Sequence, residues 1–376
     1  MKRWATFPSP ELLDSTVPLP IEWVDGRPVV VGASLYGWSD NFSESAQFVH
    51  VFPGFTDLHI HGAFGIDFMS ASPEQMNDLA EKLSDIGYDT FLPTTITAPF
   101  EDVMRAIENL PDHPAMPGFH LEGPFISPEY PGAQPKEFIL DPPTGPSEWD
   151  AVFDHPKLKR ITLAPERPGA LDLIRRLSAR GVQVSMGHTA ATYTEARAGI
   201  EAGVGSATHT FNAMRGLHHR EPGALGAVLS DHTLVPELIY DRVHVSPAAA
   251  GVLMNANPNA VWTNGNNGPD PRSVDIVSDC TQAAGMPPGH EFEMWGIKVV
   301  TAEGEVRLRE NGALAGSAAT LRDGFERLAE DFWLDLAIRG CCLTPRMGLL
   351  ENQPVRTWLE YDSRHKTLTV HRVGLG

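Results

Sequence analysis

Val51-Phe52-Pro53-Gly54-Phe55-Thr56-Asp57-Leu58-His59-Ile60-His61-Gly62 is an apolar run that ends on two histidines and a glycine. On an extended strand, side chains two apart share a face. His59 and His61 then present two imidazoles side by side where the strand enters a loop. Two neutral imidazoles on one face can hold one divalent ion, and imidazole suits zinc, iron or nickel. The bland alternative is a chance His-x-His on a polar strand edge, because so short a motif depends on its context.

Outward from this strand, short runs rich in Val, Ile, Leu or Phe alternate with helix-like segments. The candidate strands are Val51–His61, Tyr88–Thr94, Met116–Glu122, Lys159–Ala164, Val182–His188, Gly205–His209, Glu237–His244 and Val274–Asp279. Near-continuous apolar runs suit parallel strands covered by helices. Ser72-Pro73-Glu74-Gln75 has capping-box order with proline at the first helical position, and Gly87 closes that helix. Leu171 to Arg180 reads as an amphipathic helix stopped by Gly181, Thr192-Tyr193-Thr194-Glu195 as a second capping box with its helix ending near Gly203, and Ser246-Pro247 as a further helix start. Eight such units predict a (β/α)₈ barrel over residues 51–335. A doubly wound open sheet is the alternative, but no Gly-rich dinucleotide loop supports it. Arg27–Val31, Ala33–Tyr36 and Arg356–Val373 read as extended, so residues 1–50 and 336–376 are expected to join in one small β domain.

With 48 acidic and 29 basic residues among 376, the formal net charge is −19. That argues against nucleic acid and anionic membrane surfaces as partners. A small anionic substrate would need a local basic cluster, and Arg215, His218, His219 and Arg220 supply one. The three cysteines, Cys280, Cys341 and Cys342, have neither metal-site nor disulfide spacing, which suits a reducing, cytoplasmic setting. Met1 to Leu13 carries no apolar signal core, and no apolar run reaches membrane length.

In a barrel of this kind, chemistry gathers at the C-terminal ends of the strands. Those ends carry His59, His61, Glu122, His188, His209, His244 and Asp279. A lone strand-end histidine is usually a loop residue, and a lone aspartate usually caps the next helix. The inference rests on their concentration. Glu122, followed by Gly123-Pro124, is placed to coordinate one metal or bridge two. Lys157 and Lys159 precede their strand, so a lysine-derived bridging ligand is not expected. Beside a metal, Asp279 can accept a water's proton and return it to a leaving nitrogen. Cys280 has no histidine partner and reads as structural.

The segments His59-Ile60-His61-Gly62, Leu121-Glu122-Gly123-Pro124-Phe125, Thr162-Leu163-Ala164-Pro165-Glu166, Gly187-His188-Thr189, His209-Thr210-Phe211-Asn212-Ala213-Met214, Arg220-Glu221-Pro222-Gly223, Ser278-Asp279 and Leu314-Ala315-Gly316-Ser317-Ala318 follow in order. In this the chain resembles the N-acetylglucosamine-6-phosphate deacetylases of the amidohydrolase superfamily, from about residue 50 to about residue 320. The resemblance implies deacetylation of N-acetylglucosamine 6-phosphate to glucosamine 6-phosphate and acetate, in amino-sugar breakdown. It implies a principal metal on Glu122, His188 and His209, with His59 and His61 as second-metal ligands found in part of the family. The ion would be Zn²⁺, with Fe²⁺, Mn²⁺ or Co²⁺ as alternatives, one or two per subunit. Asp279 would be the catalytic acid/base, and His244 would contact substrate and polarise the carbonyl. Ala133, Gln134, Asn212 and Ala213 would meet substrate, and Leu314, Ala315 and Gly316 would line the acetyl end. Arg220 would reach the phosphate in a neighbouring subunit's site, which implies a homodimer.

Two stretches depart from the family pattern. Asn264 to Pro271 looks like a longer, turn-rich loop, and Arg346-Met347-Gly348-Leu349-Leu350 replaces the usual return to the small domain. Two rival readings stay open: an amidohydrolase for another acetylated amino-sugar phosphate or a non-sugar amide, and a non-catalytic barrel serving as a binding module.

Overall fold

The computed structural model describes residues 3–6, 19–30, 47–256, 274–302, 304–310, 312, 314–343 and 354–373. Its centre is a ring of eight parallel strands: β1 (Phe55–Ile60), β2 (Tyr88–Pro93), β3 (Phe119–Glu122), β4 (Leu158–Leu163), β5 (Gln183–Met186), β6 (Val204–Ala207), β7 (Val235–Ile239) and β8 (Asp275–Val277). Strands β3 to β8 pair in chain order, as do β1 and β2. Parallel bridges at Thr94–His120 and Ile60–Cys280 close the circle between β2 and β3 and between β8 and β1. Each strand is followed by helix: α1 (Pro73–Asp85), α2 (Phe100–Glu108), α3 (Asp150–Phe153), α4 (Ala170–Ser178), α5 (Tyr193–Ala202), α6 (Gly223–Ser230), α7 (Pro247–Ala256) and α8 (Leu321–Asp331). The chain is thus a (β/α)₈ barrel. Both expected capping boxes form, at Ser72 and Thr192. Among the described residues no helix is long and apolar enough to cross a membrane.

The run from Val51 to His61 is two strands, not one. Gln47–Pro53 joins a six-stranded sheet with Arg3–Thr6, Leu19–Val24, Arg27–Val30, Thr357–Asp362 and Thr367–Arg372, so both chain ends meet there. The division falls at Gly54, where a Cβ would lie 2.7 Å from the Gly87 carbonyl oxygen. Only a residue without a side chain lets the strand pass so close to the α1–β2 turn.

Two other segments differ from expectation. Residues 336–343 do not enter the end sheet. Leu334–Ile338 and the turn Arg339–Leu343 pack on the barrel, and Gly340 approaches β8 so closely that a Cβ would meet Ile276 at 2.6 Å. After β8, Glu291–Met294, Ile297–Thr301, Glu305–Leu308 and Leu314–Ser317 build a four-stranded antiparallel sheet that the sequence reading missed. Its strands run only four or five residues, and Thr301, Ala315 and Ser317 take buried places among them, so their apolar alternation is weak. A bridge between Cys280 and Ser317 fixes it to the barrel rim. The 264–271 loop, Ala33–Tyr36 and Arg346–Leu350 lie outside the described residues.

Barrel interiors are usually filled by branched aliphatic residues. Here Leu58, Leu92, Ile239 and Val277 form only a small apolar cluster, and much of the remaining filling is polar. Arg160, fully buried, bonds Gln183 Oε1 at 2.8 Å, Ser206 Oγ at 2.6 Å and Ser185 Oγ at 3.2 Å, and pairs with Glu237 Oε1 at 2.8 Å. One guanidinium thereby ties together β4, β5, β6 and β7.

Asp275 sits in the same interior, and burial pushes its carboxyl up to about 8 despite the pull of Arg160. The folded state therefore holds a proton there that the unfolded chain releases above about pH 4. Stability from this group is lost as pH rises toward 8. An Asp275→Asn variant is expected to gain on the parent by a few kcal/mol near pH 8, with the gap narrowing as pH falls and closing near pH 4. Unfolding midpoints measured across that range test it, and a gap independent of pH refutes it.

Candidate metal centre and active site

The six donor residues are delivered from five strands. His59 lies in β1 and His61 one residue past it, and Glu122 ends β3. His188, His209 and Asp279 each sit two residues beyond β5, β6 and β8, in the left-handed region with φ of 46°, 30° and 46°. Such a backbone is unfavourable for residues other than glycine and gathers at functional sites. It also explains why the strands end earlier than expected: the turn re-aims each ligand toward the barrel axis. His244 lies five residues past Ile239, in a turn and not on the strand as the run Glu237–His244 suggested.

Two groups of donors result, Glu122 with His188 and His209, and His59 with His61 and Asp279. His188 Nε2 and His209 Nε2 stand 3.0 Å apart, at 3.2 and 3.3 Å from Glu122 Oε1. His59 Nε2 and His61 Nε2 each lie 3.2 Å from Asp279 Oδ1 and reach Glu122 at 3.4 and 3.3 Å.

The outer nitrogens decide what the inner ones offer. His61 Nδ1 bonds the Thr94 carbonyl at 3.1 Å, His188 Nδ1 the Tyr130 carbonyl at 3.1 Å, and His59 Nδ1 meets Glu237 Oε2 at 3.4 Å. Each acceptor receives a hydrogen bond from Nδ1–H, which keeps the proton on Nδ1 and leaves an Nε2 lone pair facing the centre. His59 Nε2, fully buried, makes no hydrogen bond among the described residues. Lone pairs converging with two carboxylates repel one another unless a cation lies among them, so this donor set fits a divalent metal. The electrostatics agree. Burial alone would depress His61, but Asp279 and Glu122 outweigh it and push it up to about 9. Burial would raise Glu122, but His59, His188 and His209 hold it well below the usual carboxylate range. The site draws positive charge.

A pocket of about 190 Å³ opens above these groups. It is lined by His61, Glu122, His188, His209 and Asp279, by Ala133, Gln134, Asn212, Ala213 and His244, and by Leu314, Ala315 and Gly316. Two expected site residues fall elsewhere. His59 lies beneath the pocket, fully buried, and Arg220 is exposed on its loop with Nη1 2.8 Å from His219 Nε2.

Four residues at or near the site escaped the sequence reading. Gln134 was anticipated as a substrate contact, yet its side chain is committed inward: Nε2 donates to Glu122 Oε2 at 2.7 Å and Oε1 accepts from Thr97 N at 2.7 Å. Asp241 was missed; its Oδ2 takes His244 Nδ1–H at 2.6 Å while Oδ1 accepts from two backbone amides, so the turn and the imidazole are fixed together. Arg160 and Glu237 were missed as supports of His59, although a charge inside an apolar strand run was a legible signal. Burial would raise Glu237, but Arg160 and His59 hold it at about 2. Trp295, at a hairpin tip, also lines the pocket and carried no sequence signal.

Residues 50–279 match the family described as "Amidohydrolase family". The chain belongs to the amidohydrolase family. It is 33% identical over 285 residues to the N-acetylgalactosamine-6-phosphate deacetylase of Escherichia coli O157:H7, covering 74% of this chain and 72% of that one. It is 34% identical over 304 residues to the N-acetylglucosamine-6-phosphate deacetylase of Bacillus subtilis, covering 76% and 72%. Among solved structures, an N-acetyl-D-glucosamine-6-phosphate deacetylase mutant from Mycobacterium smegmatis, in complex with N-acetyl-D-glucosamine-6-phosphate, superposes with a TM-score of 0.81 at 29% identity, covering 100% of this chain and 98% of that one.

Proposed function

We propose that this protein is a metal-dependent deacetylase that converts N-acetyl-D-glucosamine 6-phosphate to D-glucosamine 6-phosphate and acetate. The carrying observation is that Asp279 belongs to an assembled donor set in a pocket whose lining combines polar Asn212 and His244 with apolar Ile239, Leu314 and Ala315. Glu122, His188 and His209 would hold the principal ion, and a set rich in imidazole favours zinc. His59, His61 and Asp279 would form the second position. The ion, when bound, supplies Lewis acidity that activates a water and polarises the acetamide carbonyl.

The rest is the work of the chain. Asp279, kept ionised by His59 and His61 against the effect of burial, accepts the proton of the attacking water. As the new C–O bond matures and the C–N bond breaks, it returns that proton to the departing nitrogen. His244, its ring oriented by Asp241, would donate Nε2–H to the carbonyl oxygen as the imidazolium, in which both ring nitrogens are donors. The galactosamine epimer is the second reading, favoured by the name of the Escherichia coli relative.

The sugar hydroxyls meet the Asn212–Ala213 side in this reading, and the phosphate meets Arg220 of a second copy. That Arg220 is exposed and absent from its own chain's pocket supports a homodimer. Cys280, Cys341 and Cys342 are buried and none is in a disulfide, which supports a cytoplasmic setting. Acetate release from the phosphorylated sugar, set against the unphosphorylated one, tests the substrate. A charge-assisted hydrogen bond contributes about 1.5–3 kcal/mol, so Arg220→Ala should raise KM on the order of 10- to 100-fold with kcat nearly kept. An unchanged KM removes Arg220 from the phosphate site.

A further inference from the structure

We infer that Trp295 is a specificity-determining residue that closes the acyl end of the pocket and restricts the enzyme to short N-acyl groups. The inference rests on the amide-hydrolase reading above. Trp295 lines the active-site pocket and also lines a second cleft of about 360 Å³, whose walls mix Met69, Ile96 and Phe138 with Asp102, Arg105 and Glu293. The indole is therefore shared between the two spaces, and beyond it lies room for a longer chain beside the apolar wall residues.

The indole is held in place from two sides. Nε1 donates to Asp67 Oδ2 at 3.0 Å, and the ring stands edge-on to His61 with centroids 5.4 Å apart. Asp67 is itself buried and fixed by the short ladder of Gly62–Ala63 with Ile66–Asp67, directly after the His-x-His strand. The backbone adds rigidity. Met294 pairs with Ile297 across a two-residue turn in which Trp295 and Gly296 have φ of 54° and 80°. Two successive left-handed residues make the turn that matches strand twist, so the hairpin presents its tip in one orientation.

The direction of the acyl group follows from the chemistry of the walls. Asn212 and His244 give the pocket polar lining that suits hydroxyls, while Ile239, Leu314, Ala315 and Trp295 give it apolar lining. With the scissile carbon beside Asp279 and the hydroxyls met by the polar residues, the alkyl part of the acyl group falls to the apolar set that includes the indole.

The test is the ratio of kcat/KM for N-butanoyl over N-acetyl glucosamine 6-phosphate, in the wild type, Trp295→Gly and Trp295→Phe. Each methylene that a pocket cannot hold costs about 10- to 200-fold, so the wild type should reject butanoyl by at least about 100-fold. Glycine adopts the left-handed turn without strain, so Trp295→Gly removes the indole without burdening the hairpin. It should raise the ratio about tenfold or more, with Trp295→Phe in between. A merely structural tryptophan would lower both rates and leave the ratio unmoved.

Butanoyl cleaved by the wild type as readily as acetyl overturns the assignment. So does an unmoved ratio in a folded Trp295→Gly variant, judged by circular dichroism. Should that variant fail to fold, an unmoved ratio in Trp295→Phe overturns it instead. Failure of the wild type to release acetate from the acetyl substrate overturns the substrate reading, which a normal release with an unmoved ratio leaves intact.

Discussion

Asp279→Asn should retain its bound metal and lose turnover by about 10²- to 10⁴-fold, the usual span for removing a positioned general acid/base. The substitution keeps shape and size and removes the ability to carry a proton. Glu122, His188 and His209 form a donor group without Asp279, so metal content in the principal position should stay near the parent's. KM should move little, because the lost interaction belongs to the transition state. Elemental analysis of the purified variant together with acetate release separates these effects. Turnover equal to the parent's removes Asp279 from the reaction, and loss of all metal makes it a ligand first.

Arg160→Met is the second large effect, and it is one of stability. Arg160 is fully buried and bonded or paired to Gln183, Ser185, Ser206 and Glu237. Removing one partner of a buried ion pair leaves the other charge without compensation, at a cost of about 3–5 kcal/mol. The denaturant midpoint should fall accordingly. Adding Glu237→Gln to Arg160→Met removes the stranded charge and should recover part of the loss. A single variant within about 1 kcal/mol of the parent would show the interior to be rearranged or hydrated around the vacancy.

Much of the fold was legible because buried parallel strands and their helices obey local rules. The two capping boxes at Ser72 and Thr192 form as their residue order predicts. The boundary at Gly54 was not legible, because nothing in an unbroken apolar run shows that a glycine must pass the Gly87 carbonyl. The antiparallel sheet of residues 291–317 was hidden for another reason. Its strands are four or five residues long and fill buried places with Thr301, Ala315 and Ser317 as well as Met294, Val299 and Val306, so the apolar period is faint.

The donor types and their order along the chain, His59, His61, Glu122, His188, His209 and Asp279, are written in the residues themselves, since a strand end converts residue order into position around a barrel. How they combine follows from the closed barrel. The left-handed turns at His188, His209 and Asp279 aim the side chains, and Thr94, Tyr130 and Glu237 set which nitrogen faces inward. Those partners are far away in sequence: Glu237 lies 178 residues from His59. A hydrogen bond or a lone-pair direction depends on distances of a few ångströms, and for residues this far apart such distances exist only once the barrel has closed.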